Sequence, residues 1–235
     1  MMAIIEKDQS LLLFCSQIEH CPKKNSIMKT TLVSEPINKT ATIKTIYERR
    51  AVRKYQPKEV DRKLIEQVLD AGRMAPSAMN KQEWKFYVFT NKETIQLMSK
   101  DIKKAASKDF LKIGFKQIIK MAAGLFHVAS AVDFLKMADP VFYGAPVVIF
   151  ITAPKDNEWS ALDAGMCAQN MMLAAKSLNL DSCPVGFGKY LEHTKSYSLL
   201  PAKTSEQIQL SIILGYGNET PDVHKRKRNN AIFIE

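Results

Sequence analysis

The chain has 235 residues, of which 46% are hydrophobic and 25% charged, a balance typical of a protein that buries a core. Its 9 glycines and 10 prolines exclude collagen-like and low-complexity classes, and no apolar run approaches the roughly 18 residues that cross a bilayer. We therefore expect no membrane partner. The formal net charge of +10 favours anionic ligands, but the basic residues are not interleaved with aromatic ones, so we expect no nucleic-acid partner.

The beginning of the chain lacks the pattern of a folded unit. We interpret residues 1–40 as an extension without a confident domain and residues 41–235 as a single domain, with Met28 as an alternative start. The apolar stretch 10–15 is short for a signal sequence, follows acidic residues and precedes no small-residue cleavage site. The 4 cysteines form no Cys-x-x-Cys pair and have no histidine at ligand spacing. This pattern argues against a metal site and favours a reducing, cytoplasmic location.

Hydrophobic periodicity and turn residues predict a mixture of helices and strands. In chain order they are a helix over residues 42–49, a helix over 60–71, a strand over 85–89, a largely helical stretch over 92–137, a strand over 146–152, a helix over 160–178, a strand or loop over 182–187, a short helix over 192–199, a strand over 207–215 and a terminal strand over 231–234. The predicted strands and helices do not alternate in a regular βαβ order, and no Gly-x-Gly-x-x-Gly follows the first strand. Both observations favour an α+β domain over a dinucleotide-binding one.

Some single residues refine these predictions. Thr42 is the expected cap of the first helix, and Gly72 is expected to end the second. Gly114 and Gly124 are the expected breaks in the long helical stretch. The helix over 160–178 is apolar on most sides, which indicates enclosure in a core or in a subunit interface.

Three guanidinium groups lie within five residues, at Arg49, Arg50 and Arg53, where the first predicted helix ends. Like charges so close together repel one another, and an anionic partner relieves the repulsion. Because the planar fork of arginine donates two parallel hydrogen bonds, a phosphate group suits it well. Taken alone, however, the segment fits a solvated charge run better.

Three further segments carry candidate functional residues. Residues 75–84, Ala-Pro-Ser-Ala-Met-Asn-Lys-Gln-Glu-Trp, offer a hydroxyl and an amide to an aromatic heterocycle, or they form an ordinary loop between a helix and a strand. Residues 163–170, Asp-Ala-Gly-Met-Cys-Ala-Gln-Asn, contain small side chains that allow another backbone to approach, as in a packed core helix. Residues 184–188, Pro-Val-Gly-Phe-Gly, contain glycines that leave backbone N–H groups open to a ligand.

Taken together and in this order, the four segments resemble the FMN-dependent nitroreductase family. Residues 213–217, Ile-Leu-Gly-Tyr-Gly, lie before a basic tail and match the family's last strand, so the resemblance covers about residues 43–228. It implies an α+β nitroreductase fold, with a central mixed or antiparallel sheet flanked by helices. It also implies a homodimer in which a C-terminal segment crosses to the partner, with FMN as the cofactor and NADH or NADPH as the reductant.

The resemblance also implies which residues contact the cofactor. They are Arg49, Arg50, Ala51, Val52, Arg53, Pro76, Ser77, Ala78, Asn80, Pro184, Val185, Gly186, Phe187, Arg226 and Arg228. Arg49 and either Arg226 or Arg228 would hold the phosphate, and Arg53 would lie near the flavin N1, where a cation stabilises the anionic reduced form. Residues 76–80 would reach the flavin from the other subunit, and residues 185–187 would lie near N5.

The function implied is an FMN-dependent NAD(P)H oxidoreductase that reduces nitroaromatic, quinone or similar flat conjugated acceptors by ping-pong hydride transfer. The flavin carries the chemistry, so no catalytic side chain is assigned. The family usually has Ser where this chain has Ala51, and Pro where it has Glu83, which leaves those contacts open. The alternatives are a dehalogenase, an azoline oxidase or a flavin-destroying enzyme of the same fold, and, with less support, a basic nucleic-acid-binding protein.

Overall fold

A computed structural model of the chain describes residues 40–113, 139–227 and 229–234, with side chains described to residue 108 in the first range. The predicted extension 1–40, except for its last residue, lies outside these ranges. The expected helix breaks Gly114 and Gly124, the second half of the helical stretch 92–137 and the candidate phosphate ligand Arg228 also lie outside them.

The described residues form four α-helices and four strands, joined in part by 3₁₀ turns. The helices are α1 (Ala41–Glu48), α2 (Arg62–Arg73), α3 (Lys92–Ile113) and α4 (Ser160–Ser177). The strands are β1 (Lys85–Phe89), β2 (Val147–Pro154), β3 (Asp181–Val185) and β4 (Glu206–Gly215). The 3₁₀ turns span Ala78–Asn80, Gly186–His193 and Lys195–Leu199. The predicted helices and strands between residues 42 and 215 are confirmed in the described ranges, except that the short helix 192–199 is a pair of 3₁₀ turns.

The two helix-end predictions are wrong. The cap of α1 is Thr40 and not Thr42, since the Thr40 hydroxyl accepts the Ile43 N–H at 3.4 Å and the helix begins at Ala41. Gly72 lies inside α2, where the helix runs on to Arg73. A Cβ on Gly72 would lie 2.7 Å from Cγ of Met171, so this glycine permits close packing of α2 on α4 and does not end the helix.

The sheet is antiparallel throughout and has the order β1-β2-β4-β3. β2 lies between β1 and β4 and is buried along nearly its whole length, as its continuous apolar sequence predicts. β1 is an edge strand with one neighbour, β2. The predicted mixed or antiparallel sheet is therefore antiparallel, and only an isolated bridge between Ala51 and Ser182 is parallel.

Two apolar layers sandwich the sheet. Side chains alternate across β2, so Val147, Ile149 and Ile151 pack in one core with α2 and α4. Val148 and Phe150 pack on the other face, in a second core with α3 and the turns after β3. The segment after α1 reaches the end of this second core, which places the arginines at the rim of the sheet.

The ends and surfaces of the described chain complete the fold. The predicted terminal strand 231–234 is not formed within the chain, because these residues pair with no strand of the sheet. Ile232, Phe233 and Ile234 are instead 89%, 90% and 94% exposed. Helix α4 is buried on one side only, and its outer side exposes Leu162. Among the described residues, no helix has the length and apolarity needed to cross a membrane.

Candidate functional site

The arginine segment is an extended stretch that leaves α1 and joins the sheet at β3. Arg49 ends α1 by donating its backbone N–H to the Thr45 carbonyl at 2.9 Å. Three residues later, the Val52 N–H donates to the Ser182 carbonyl at 3.1 Å. Because the backbone is fixed at both points, the side chains between them have defined positions beside β3.

A second set of backbone bonds ties this segment to the chain that leaves β4. The Gln56 N–H donates to the Tyr216 carbonyl, and the Asn218 N–H to the Lys54 carbonyl, both at 2.8 Å. The Glu219 carboxylate accepts the Arg53 N–H at 2.6 Å. Glu219 carries no sequence signal of this role, because its partner lies 166 residues away along the chain.

Arg49 is a cation without a hydrogen-bond partner for one of its donors. Its Nη1 is buried and unpartnered among the described residues, and so is the Ser182 hydroxyl. Burial lowers the pKa of Arg49, and repulsion from Arg50 and Arg226 acts in the same direction, against a smaller opposing effect of Cys183. A buried donor left unpaired costs about 1–3 kcal/mol, and more when it is charged. The site is therefore complementary to an anion.

The other two arginines have different surroundings. Arg50 is half-buried, and its Nη1 donates to the Tyr47 and Arg49 carbonyls at 2.6 and 2.9 Å. The side chain of Arg53 is exposed, and its guanidinium lies 5.9 Å from the centre of the Tyr143 ring. Tyr143 has a raised pKa because of burial, which the nearby Arg53 cation partly opposes. Tyr143 was not identified from the sequence.

Residues 184–187, the predicted segment with open backbone N–H groups, lie at the end of β3. Pro184 and Gly186 are exposed, Val185 is buried and Phe187 is half-buried. A Cβ on Gly186 would have no heavy atom within 4 Å, so its backbone faces open space. The Ser211 hydroxyl donates to the Val185 carbonyl at 2.7 Å and holds the strand end in place.

The thiol of Cys183 lies under both segments. It is 1% exposed, and burial raises its pKa, against the opposing effect of the Arg53 and Arg49 charges. Cys167 and Cys183 are both buried free thiols. Within the described ranges, no group of His, Cys, Asp or Glu side chains could hold a metal ion.

The predicted segment 76–80 lies in a strained loop, residues 76–82, that precedes β1. Met79, Asn80 and Gln82 have φ values of 52°, 54° and 50°, the left-handed region that non-glycine residues rarely adopt. The Ser77 hydroxyl accepts the Gln82 N–H at 3.0 Å, and the Gln82 amide donates to Asn80 Oδ1 at 2.8 Å. Pro76 is exposed and Ala78 is half-buried.

A buried carboxylate anchors this loop. Asp163 of α4 is 7% exposed, and its two oxygens accept the Ala78 N–H at 3.3 and 3.2 Å. The sequence marked residues 163–170 only as a run of small residues in a packed helix. The carboxylate gives this helix a second role, because it determines where the loop begins.

The structure thus brings together some of the predicted site residues and not others. The arginine segment runs beside β3, whose last residues belong to the segment 184–187, and Arg226 is close enough to Arg49 for their charges to repel. Among the described residues, no hydrogen bond, ion pair or ring contact joins the loop 76–80 to this group. A cavity of about 590 Å³ lies elsewhere, between α2 and β1, beside Arg73 and Trp84.

The architecture defines the class of protein. A four-stranded antiparallel sheet between helical layers, with the arginine segment at its rim, is the nitroreductase fold. A solved nitroreductase with bound FMN from Bacteroides fragilis NCTC 9343 superposes with a TM-score of 0.67, at 21% identity, over 84% of this chain and 100% of that one. A second solved structure, the FMN and NADPH-dependent nitroreductase NfnB from Sphigopyxis sp. strain HMH, superposes with a TM-score of 0.59, at 19% identity, over 79% and 96% of the two chains.

Sequence comparison makes the assignment specific. Residues 46–216 match the model of the nitroreductase family. The 4-nitrobenzoate reductase of Pseudomonas putida is 30% identical over 199 residues, which are 76% of this chain and 86% of that protein. The chain therefore belongs to the nitroreductase family and is an oxidoreductase, as the four sequence segments indicated.

Proposed function

We propose that the protein is an FMN-dependent NAD(P)H oxidoreductase that reduces nitroaromatic, quinone or similarly flat conjugated acceptors. The observation that carries the proposal is Arg49, a half-buried arginine whose buried Nη1 has no partner among the described residues and which has a repelling cation, Arg226, nearby. A phosphate monoester supplies the acceptor oxygens and the negative charge that this group lacks. The bound FMN of the Bacteroides fragilis relative and the FMN and NADPH dependence of NfnB support the choice of cofactor.

The residues present fit the parts of FMN. Arg49 and Arg226 would hold the phosphate, and the unpartnered Ser182 hydroxyl offers a further donor beside them. This hydroxyl offsets the one missing at Ala51, whose backbone bridges to Ser182. Arg53 would supply positive charge near N1, and the open backbone at Gly186 would face the ring near N5.

When bound, FMN accepts hydride from a nicotinamide and passes reducing equivalents to the acceptor. The chain's own residues bind and orient the partners and set the electrostatics. The chain therefore contributes cations and backbone donors to the site, and no side chain is assigned as an acid or a base. The nitroaromatic class of acceptor is supported by the 4-nitrobenzoate reductase relative.

We further propose that the working unit is a homodimer with the flavin site shared between chains. The loop 76–80, which would contact FMN, is joined to the arginine segment of its own chain by no hydrogen bond, ion pair or ring contact among the described residues. Apolar side chains are exposed near this loop and along the outer side of α4, with Met74, Met79 and Leu162 at 78%, 80% and 54%. A second copy would cover this surface and bring its loop to the site.

The C-terminal tail fits the same arrangement. Ile232, Phe233 and Ile234 are almost fully exposed, and β1 has a free edge. An extended segment that pairs with such an edge satisfies its unpaired backbone groups. We propose that the tail crosses to the partner and lies near the cavity between α2 and β1.

Cofactor binding tests the proposal directly. The melting temperature of the cofactor-free protein should rise with FMN, since a ligand at about a hundred times its dissociation constant adds roughly 2.7 kcal/mol of stability. FAD and inorganic phosphate are the comparison ligands. Stabilisation by FAD equal to or greater than that by FMN would count against the proposal, and so would the absence of any stabilisation by FMN.

A substrate screen tests the reaction. Under nitrogen, the FMN-loaded protein should oxidise more than one equivalent of NADH or NADPH only when an acceptor is present, and nitroaromatics and quinones should both serve. A loaded protein that reduces neither class would point to another reaction of the same fold.

A further inference from the structure

The position of the Arg53 guanidinium is the least constrained part of the site. The backbone of Arg53 is fixed, because the Glu219 carboxylate accepts its N–H at 2.6 Å. Its side chain is exposed, and within the described ranges no salt bridge engages its guanidinium. A flexible charged side chain in water samples many rotamers, so a charge needed at one place requires a further contact.

Tyr143 provides that contact. Its ring lies 5.9 Å from the Arg53 guanidinium carbon, within the range of a cation–π interaction. The ring is half-buried, so one part packs on the protein while another part faces the arginine. Burial raises the pKa of the phenol, and Arg53 lowers it, mainly through its charge and to a smaller extent through hydrogen bonding to the phenol oxygen, so the guanidinium lies close to the ring and its hydroxyl.

The backbone at Tyr143 is held in an unfavourable conformation. Its φ is +56°, a value rare for a bulky aromatic residue, and Gly144 follows at +69°. Such strain persists only where surrounding contacts determine it, and it is common at functional sites.

Those contacts come from Asp139. Its carboxylate accepts the N–H groups of Phe142 at 2.8 Å and Gly144 at 3.0 Å, and it also accepts the Ser99 hydroxyl at 2.5 Å. The turn is thereby fastened to α3, while the fully buried Phe142 anchors it in the second core. The strained turn presents the ring of Tyr143 towards Arg53.

We propose that Tyr143 is a positioning residue whose ring face holds the Arg53 guanidinium where it stabilises the reduced cofactor. The inference rests on the proposed FMN-dependent function and adds a residue to it. Glu219 fixes the backbone of Arg53, and Tyr143 fixes its charge. Tyr143 itself takes no part in hydride transfer.

Four variants test this role: Tyr143→Gly, Tyr143→Phe, Arg53→Ala and the double variant Tyr143→Gly/Arg53→Ala. Glycine adopts the left-handed conformation without strain, so Tyr143→Gly removes the ring while the turn stays folded. Phenylalanine keeps the ring face and loses only the hydroxyl. Tyr197→Leu, at a half-buried tyrosine of the 3₁₀ turn Lys195–Leu199, is the matched control. The readouts are the FMN dissociation constant and the reduction potential of bound FMN, measured by equilibration with a reference dye.

Tyr143→Gly should lower the reduction potential by part of the shift that Arg53→Ala produces, with a smaller change in the affinity for oxidised FMN. Tyr143→Phe, which loses only the hydroxyl, should retain most of the wild-type potential, and Tyr197→Leu should retain all of it. The double variant should have the potential of Arg53→Ala, because the ring acts only through that arginine.

Some results would overturn the inference. An unchanged potential in Tyr143→Gly, or a double variant in which the two shifts add in full, would remove Tyr143 from this role while leaving the proposed function standing. A Tyr143→Phe variant that behaves like Tyr143→Gly would show that the ring face is not the acting group. A wild-type protein that binds no FMN would instead overturn the proposed function.

Discussion

The arginine segment and the loop 76–82 are held in place by opposite means. Residues 49–56 are fixed through their backbone, by the bonds of Val52 to Ser182 and of Gln56 to Tyr216. The loop has two backbone bonds within itself, and side chains hold it further, with the Asp163 carboxylate on the Ala78 N–H and the Ser77 hydroxyl on the Gln82 N–H. One region therefore leaves polar side chains available, and the other uses them to support itself.

This difference indicates what each region contributes. In the first region, the Arg49 Nη1 is buried and unpartnered among the described residues, so it is suited to bind an anion. In the second, the strain at Met79, Asn80 and Gln82 is offset by internal hydrogen bonds, so the loop is suited to present a fixed shape. We propose that the first region recognises the charge of the ligand and the second determines its position.

The largest effect is expected when the two regions are damaged in different chains. Arg49→Ala/Arg53→Ala and Ser77→Ala/Asn80→Ala homodimers should each be nearly inactive. If the sites are shared, one of the two flavin sites of a mixed dimer contains both damaged segments and the other contains neither. Activity per purified mixed dimer should therefore approach half of the wild-type value.

The control for this experiment is a proof of heterodimer formation through two different affinity tags. Activity no higher than the mean of the two parents would show that each site is built within one chain. That result would show that the loop does not contribute to the partner's site, and it would not change the role proposed for the arginine segment.

A smaller effect, on stability, is expected at Asp163. Asp163→Ala leaves the Ala78 N–H without its acceptor, and a lost buried acceptor costs about 1–3 kcal/mol. Urea unfolding of the cofactor-free protein measures the loss. Asp163→Asn keeps an acceptor oxygen and should lose less, and Asp156→Ala, at an exposed position just before α4, should lose almost nothing. Equal urea midpoints for Asp163→Ala and Asp156→Ala would show that the Asp163 carboxylate does not stabilise the loop.

The smallest effect compares the two buried cysteines, one in the core behind the loop and one under the arginines. Burial raises the pKa of the Cys167 thiol from 9.0 to about 12, with a small opposing effect of Arg73. The unfolded chain therefore loses this proton first, and stability should fall as pH rises above about 9. Cys167→Ala should flatten that decline by about 1.4 kcal/mol per pH unit at most.

Cys183→Ala should flatten the alkaline decline less than Cys167→Ala. The reason is that the Arg53 and Arg49 charges oppose the effect of burial on the Cys183 pKa. The measurement is the slope of unfolding free energy between pH 8 and pH 10, which separates ionisation from the pH-independent loss of packing. A steeper dependence on Cys183 than on Cys167 would contradict the cationic surroundings assigned to it.

Local patterns in the sequence predicted much of the fold. The strands over 85–89 and 207–215 and the helix over 160–178 were predicted almost to the residue, because burial of one face or of both imposes a regular apolar spacing. Gly72 was wrongly predicted to end the helix. A glycine fits there because Met171, on another helix, packs too closely to leave room for a Cβ. The terminal strand was predicted from its apolar residues, but it pairs with none of the four strands that the structure describes.

Candidate site residues were identified from the sequence only where charge or glycine marked them. Arg49, Arg226 and Gly186 stood out as cations and as an open backbone. Tyr143 and Asp163 did not, since each acts on a partner far away in sequence: Asp163 bonds a residue 85 positions earlier. Such roles depend on the folded arrangement, and no local pattern encodes them.

The central claim, that Arg49 binds the phosphate of FMN, is tested most directly by the ratio of FMN to riboflavin affinity. Riboflavin lacks the phosphate, so the ratio isolates this contact from the rest of the flavin site. A charge-assisted hydrogen bond contributes about 1.5–3 kcal/mol, so Arg49→Gln should weaken FMN binding by about 10- to 100-fold and change riboflavin binding little. Arg62→Gln, at a side chain 89% exposed on α2, is the control and should keep the wild-type ratio. A wild-type ratio in Arg49→Gln would contradict the account.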